Sequence, residues 1–249
     1  QDATWPGCRD ELICLGDFWN KDLLVARSEE IMAGGQAKAA YFAKAFRYFS
    51  AALALEENMA ARNSRGRKDC SSGVEEILAH IGKHQKGSSA KPSDARHLFA
   101  SALTPEGYVS HIKDLVQDFP KRYTFCGPVG TGKSEYLQLV LRHGELQGLQ
   151  VEAFHYPLDP EKLLHILLPE LGLAVLTATE LEPLADLVGN GSVQEIITGD
   201  VDVALQVNAG DHKLFRELID LGVGALQHAQ ASHIKVEDYF ASSMDFSAV

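Results

Sequence analysis

Residues 127–134 read Gly-Pro-Val-Gly-Thr-Gly-Lys-Ser and satisfy every fixed position of G-x-x-x-x-G-K-[ST]. A loop of this composition has to leave a strand, bend tightly and open a helix, and both flanks comply. Residues 122–126 are rich in β-formers, and after the loop Leu137, Val140, Leu141 and Leu146 recur at helical spacing across residues 135–147. The implied chemistry is phosphate binding. Gly127, Gly130 and Gly132 let backbone N–H groups turn inward around a triphosphate, with Pro128, Val129 and Thr131 completing the loop. Lys133 can reach the β- and γ-phosphates, the Ser134 hydroxyl is placed to ligate Mg²⁺, and Glu135 follows in the first helical turn.

The segments around this loop alternate. Thr104 as N-cap and Pro105 at the first helical position predict a helix over 105–117 that leads into the strand 122–126. A second strand is expected over 150–155, a helix over 159–168 started by Asp159 and Pro160, a third strand over 172–177 and a fourth over 193–198. A long closing helix covers 211–240, with Gly222 and Gly224 as a candidate break. Alternating β and α predicts an α/β fold, a P-loop NTPase-like parallel sheet with helices on both faces. Upstream the reading is mainly helical: a short strand at 10–15, then helices over 20–32, 36–59 and 74–82. Phe42, Phe46, Phe49 and Leu53 fall at helical spacing and read as a core stripe. The small, polar stretch 87–93 reads as a linker, so two domains are expected, 1–94 and 95–249.

The net charge of −11 lies entirely in the second of these. Residues 1–94 carry 13 Lys and Arg against 13 Asp and Glu, whereas residues 95–249 carry 10 against 21. Nucleic acid is therefore a poor partner for the half that holds the loop. No run of 18 apolar residues exists, and the start of the chain lacks a basic region followed by an apolar core, so no membrane contact and a cytoplasmic location are expected. Four cysteines without C-x-x-C spacing fit a reducing compartment and no zinc site.

The expected cofactors are ATP and Mg²⁺, with a small-molecule acceptor as a possible second substrate. Phosphoryl transfer also calls for a carboxylate at a strand end beside the loop. The third strand offers Thr177 there. Asp159, following the second strand, is the substitute assigned to the metal side and to catalysis, and it reads equally well as a helix N-cap. Glu180, Asp200 and Asp202 are weaker candidates, and His155 ends the second strand as a phosphate contact or a structural histidine. The basic run 62–68 reads as a solvated loop able to reach phosphates. Two function classes follow. One is an enzyme that passes the γ-phosphoryl to water or a small acceptor, with Lys133 and the loop amides stabilising charge. The other is a non-catalytic nucleotide-binding switch or assembly module.

Several local patterns carry a family resemblance. They are Pro6-Gly7 with residues 10–13 and 15–19, Arg96-His97-Leu98-Phe99 with Thr104-Pro105-Glu106-Gly107, the loop itself, Phe154-His155 with Asp159-Pro160, Pro169-Glu170-Leu171, and Glu237 to Tyr239 with Met244-Asp245-Phe246. On these the chain resembles a group of bacterial proteins, mainly from Firmicutes, described as P-loop ATPases or nucleotide-kinase-like ATP-binding proteins and built from two tandem halves. The stretch from Pro6 is also similar to that from Asn190, as tandem halves would give. The resemblance implies that the chain holds the end of a first half and the whole of a second, so that a piece of a longer protein and contact with a missing upstream P-loop half are expected.

Overall fold

The computed structural model describes residues 15–83, 92–187 and 193–246. The strand expected at 10–15, the linker at 87–93 and the repeat starting at Pro6 and Asn190 fall wholly or largely outside them. In chain order the elements are α1 (Lys21–Ala26), α2 (Ser28–Asn63), α3 (Ser71–Gly82), β1 (Arg96–Leu98), β2 (Ser101–Thr104), β3 (Gly107–Ser110), α4 (Ile112–Leu115), β4 (Lys121–Cys126), α5 (Lys133–Leu146), β5 (Glu152–Tyr156), β6 (Asp159–Leu168), β7 (Leu173–Thr177), α6 (Leu184–Leu187), β8 (Val193–Ile197), α7 (Val201–Val207) and α8 (Ala209–Ser242). None of the described helices is long and apolar enough to cross a membrane.

The chain is α/β. Six strands pair in the order β1-β5-β6-β7-β4-β8, all in one direction except β6. Side chains alternate between two cores, as strand geometry requires. Tyr123, Phe125, Ile166, Leu168, Leu173 and Val175 face a layer built by α3 and α5, which contribute Val74, Ile77, Ile81, Leu137, Val140 and Leu141. On the other face Phe154, Leu167, Ala174 and Leu176 meet Ile112, Val116 and Leu187.

Two expected helices are strands. Residues 159–168 form β6, joined to β5 by the two-residue turn Pro157-Leu158, so the segment returns beside its predecessor. Residues 163–168, apolar but for His165, are buried on both faces, a pattern that suits a central strand as well as a helix. Thr104-Pro105-Glu106-Gly107 is the turn of the β2–β3 hairpin, with Pro105 at its second position and Gly107 at φ +107°; the Thr104 hydroxyl accepts from Glu106 N. Only α4 remains of the helix expected over 105–117.

Two compact units divide the described residues: 46–223, and 15–45 with 224–246. This differs from the expected boundary at 94/95, because α3 is bound into the sheet's core. In the smaller unit the chain closes on itself through Asn20 N to Ser243 O at 2.7 Å, Asp245 N to Phe18 O at 2.9 Å and the Trp19 and Phe240 rings 5.1 Å apart. Within the larger unit α8 runs unbroken through Gly222, where a Cβ would stand 2.2 Å from the Phe49 ring; the glycine makes room for an aromatic rather than ending the helix. Of the predicted stripe Phe49 is buried, while Phe42 and Phe46 are exposed.

Leu137 is fully buried one turn into α5, directly behind the glycine loop. Leu137→Ala should cost about 2–5 kcal/mol of stability through the cavity it leaves. The fall in denaturant midpoint at unchanged slope measures it, and a loss below about 1 kcal/mol would contradict this packing.

Candidate functional site

Residues Gly127 to Gly132 join β4 to α5 at the edge of the sheet where the parallel strands end. That edge is where such sheets present crevices for ligands, since the connecting loops diverge there. Gly130 and Gly132 sit at φ +87° and +86°, conformations that a side chain disfavours. At Gly130 space excludes one as well. A Cβ on Gly130 would stand 2.2 Å from the Ala60 carbonyl oxygen of α2, and one on Gly132 would stand 2.4 Å from the Arg67 guanidinium carbon. The loop is thus pressed from above by α2 and the turn that follows it. Asn63 extends the contact, donating to Val129 O at 3.1 Å and accepting from Asn208 at 2.9 Å.

The loop opens into a cavity of about 680 Å³ within the larger unit. Lys133, the first residue of α5, is buried; its ammonium donates to the carbonyls of Gly127 and, at 3.2 Å, of Pro128. Burial, and next the charge of Lys162, pushes the Lys133 ammonium down to about 8, against the opposing pull of Glu56 and Cys126. Ser134 donates to Leu163 O at 3.2 Å, and Thr131 donates to Pro128 O at 2.8 Å. Glu135 is paired with Arg67 at 2.6 Å, while Arg67 lies 4.9 Å over the Tyr136 ring. The basic run 62–68 is therefore anchored to the loop's helix at Arg67, and Arg62 is held by Asn208 and Asp211.

The structure does not bring every expected residue to this cavity. Gly127, Pro128, Val129, Gly130, Gly132, Lys133, Ser134 and Glu135 line it; Thr131 sits behind the loop against Thr198. Asp159 does not line it. It starts β6, and its carboxylate accepts from Glu161 N at 3.1 Å, the local turn contact of a hairpin. His155 also lies elsewhere, 2.7 Å from His97. Asp200 caps α7 by accepting from Val203 N. Glu180 and Thr177 do line the cavity.

Residues that sequence reading left out complete the walls. Glu56 of α2 is buried, 3.5 Å from the Lys162 ammonium and accepting from the Tyr156 hydroxyl at 3.3 Å. Its only sequence signal is helical register, since Glu56 lies one turn before Ala60. Glu180 is held by Arg216 at 2.8 Å and by His212 Nδ1 at 2.5 Å. The strand end at Thr177 is fixed by a fully buried pair: His165 accepts from Thr177 N at 3.3 Å and donates to Glu182 at 2.9 Å. With His165 donating to it, Glu182 keeps its carboxyl below the usual range despite the opposing effect of burial. Apolar Ile197, Val201, Ala204 and Leu205 complete the lining. No family model, curated protein or solved structure matches this chain.

The depressed Lys133 value has a consequence for stability. The charged ammonium costs more in the folded chain than in the unfolded one, where it titrates near 10.5. The penalty is full below pH about 8 and is relieved as pH rises from about 8 to 10.5. Lys133→Met should remove that rise and stabilise the ligand-free protein at pH 7 by on the order of 1–3 kcal/mol. Denaturation of both proteins from pH 7 to 10 checks this; parallel curves would contradict it.

Proposed function

We propose that the larger unit is a P-loop NTPase-like domain that binds a nucleoside triphosphate with Mg²⁺ and passes the γ-phosphoryl to water or a small acceptor. The observation that carries this reading is the glycine loop with Lys133 at the start of α5, opening on a cavity at the carboxyl edge of the parallel strands. In this reading the phosphates replace the Gly127 and Pro128 carbonyls as partners of Lys133, and the loop amides with the first turn of α5 supply the remaining donors. The apolar part of the wall, Ile197, Val201, Ala204 and Leu205, takes the nucleoside.

A divalent ion fits the donors present. No cluster among the described residues holds a metal by itself, so the ion comes with the phosphates, needing few protein ligands. Ser134 and Glu56 line the cavity, and we assign them to the ion's side in place of Asp159, which stands outside it. Once bound, Mg²⁺ neutralises charge on the β- and γ-phosphate oxygens. Thr177 occupies the strand end where phosphoryl transfer calls for a carboxylate; its hydroxyl is buried on the cavity wall with no hydrogen-bond partner among the described residues. Such a group supports a ligand oxygen at that point. The second reading, nucleotide binding without turnover, is favoured by the same threonine, because β7 ends in Thr177 and not in a carboxylate.

Mg·ATP should stabilise the protein by roughly 2.7 kcal/mol at 100 times its dissociation constant, and Lys133→Ala should abolish most of that shift. A melting temperature unchanged at millimolar Mg·ATP would contradict nucleotide binding, and binding without phosphate release would favour the second reading.

Bound phosphates hold Lys133 charged, whereas the free protein releases its proton above about pH 8. Nucleotide affinity should consequently weaken above that pH by up to about tenfold per pH unit. Calorimetric titrations between pH 7 and 9.5 measure this, with a flat profile as the opposing result.

A further inference from the structure

His212 and Glu180 form a pair that the proposed reading has not used. Both line the cavity that holds the glycine loop, Glu180 just beyond β7 and His212 in the first turn of α8. Glu180 has both oxygens engaged: one accepts from Arg216 Nε at 2.8 Å, the other faces His212 Nδ1 at 2.5 Å. An ionised carboxylate only accepts, so Nδ1 carries the hydrogen, and in the neutral form of the ring Nε2 then presents a bare lone pair. That Nε2 is buried and has no hydrogen-bond partner among the described residues. A merely structural ion pair gains nothing from leaving a buried acceptor unmade, because the desolvated atom is a cost. A second, more open pocket of about 410 Å³ adjoins it and shares Leu205, His212 and Arg216 with the first. The histidine thus stands where one space meets the other.

We propose that His212 is the general base of the reaction and that Glu180 is its positioning residue, with the attacking hydroxyl, from water or a small alcohol, arriving through the second cavity. This inference rests on the nucleotide-binding reading. The hydroxyl O–H bond breaks as its proton passes to His212 Nε2, and the oxygen forms a bond to the γ-phosphorus. The bond from that phosphorus to the bridging oxygen breaks, and its electron pair leaves with the nucleoside diphosphate, whose charge Lys133 stabilises. The imidazolium then returns its proton to solvent. Arg216 and Glu180 hold the ring in register throughout, which a carboxylate–histidine pair achieves by fixing tautomer and orientation.

The test combines turnover, binding and a spectroscopic readout on the full chain, with Mg·ATP as probe and water as acceptor. His212→Gln should lower the phosphate-release rate at least 100-fold while keeping the nucleotide-dependent melting shift and KM within about threefold. Glu180→Gln should lower the rate tenfold or more and make the ring lose its tautomeric preference. In the unaltered protein, nitrogen-15 NMR of the histidines, with His212 assigned by the resonance missing in His212→Gln, should show hydrogen on Nδ1 and a bare Nε2. Addition of Mg·ATP should move the Nε2 resonance. Hydrogen on Nε2 in the ligand-free protein, or His212→Gln turning over at the unaltered rate, overturns the proposal. So does nucleotide binding with no phosphate release from the unaltered protein, which leaves the binding reading standing. Absence of any melting shift in the unaltered protein removes both.

Discussion

The site depends on one contact between two backbones, Ala60 of α2 against Gly130 of the loop. Nothing larger than hydrogen fits on Gly130, both because of its left-handed φ and because the Ala60 backbone already fills the space. Helical register then distributes what surrounds the loop. One turn before Ala60, α2 brings Glu56 to the cavity wall; nearly one turn after, it brings Asn63 to the Val129 carbonyl. A single close approach therefore fixes the loop, supplies a carboxylate and seals one wall. Loosening it would disturb all three together.

The sheet sets the other walls. Inverting β6 between β5 and β7 places its first residues, not its last, at the loop edge, so Lys162 and Leu163 stand beside Ser134 and Glu56. Lys133 is left buried near a second ammonium, with loop carbonyls as its partners. This arrangement is expensive for an empty protein and favourable for one that holds an anion, since fixed donors in a low-dielectric site cost no reorganisation when negative charge arrives. On the proposed reading, that imbalance is the driving force for phosphate binding.

The parts of this architecture that were legible in the sequence are those with a distinctive period or punctuation. The glycine loop declares itself by three glycines and a lysine, and β4, α5, β7 and β8 follow from apolar patterning on either side. The failures have physical causes. A run such as 163–168, apolar but for His165, carries no period to tell a buried strand from a buried helix, and Asp159-Pro160 looks like a helix start whether or not a two-residue turn precedes it. Thr104-Pro105 misled in the same way, because proline suits both the first helical position and the second position of a turn. Glu56, His212 and Arg216 come from helices distant in sequence from the loop, and no local pattern marks residues that only tertiary packing brings together.

The central claim is that the amides of residues 127–134 grip the phosphates of a nucleotide. Hydrogen exchange resolved to single amides, with and without Mg·ATP, tests this directly, because each loop N–H reports its own protection. The account predicts slowed exchange concentrated at residues 129–135, with smaller effects at 56–63 on the facing helix. Protection that leaves the loop untouched, or exchange unchanged everywhere, would contradict it.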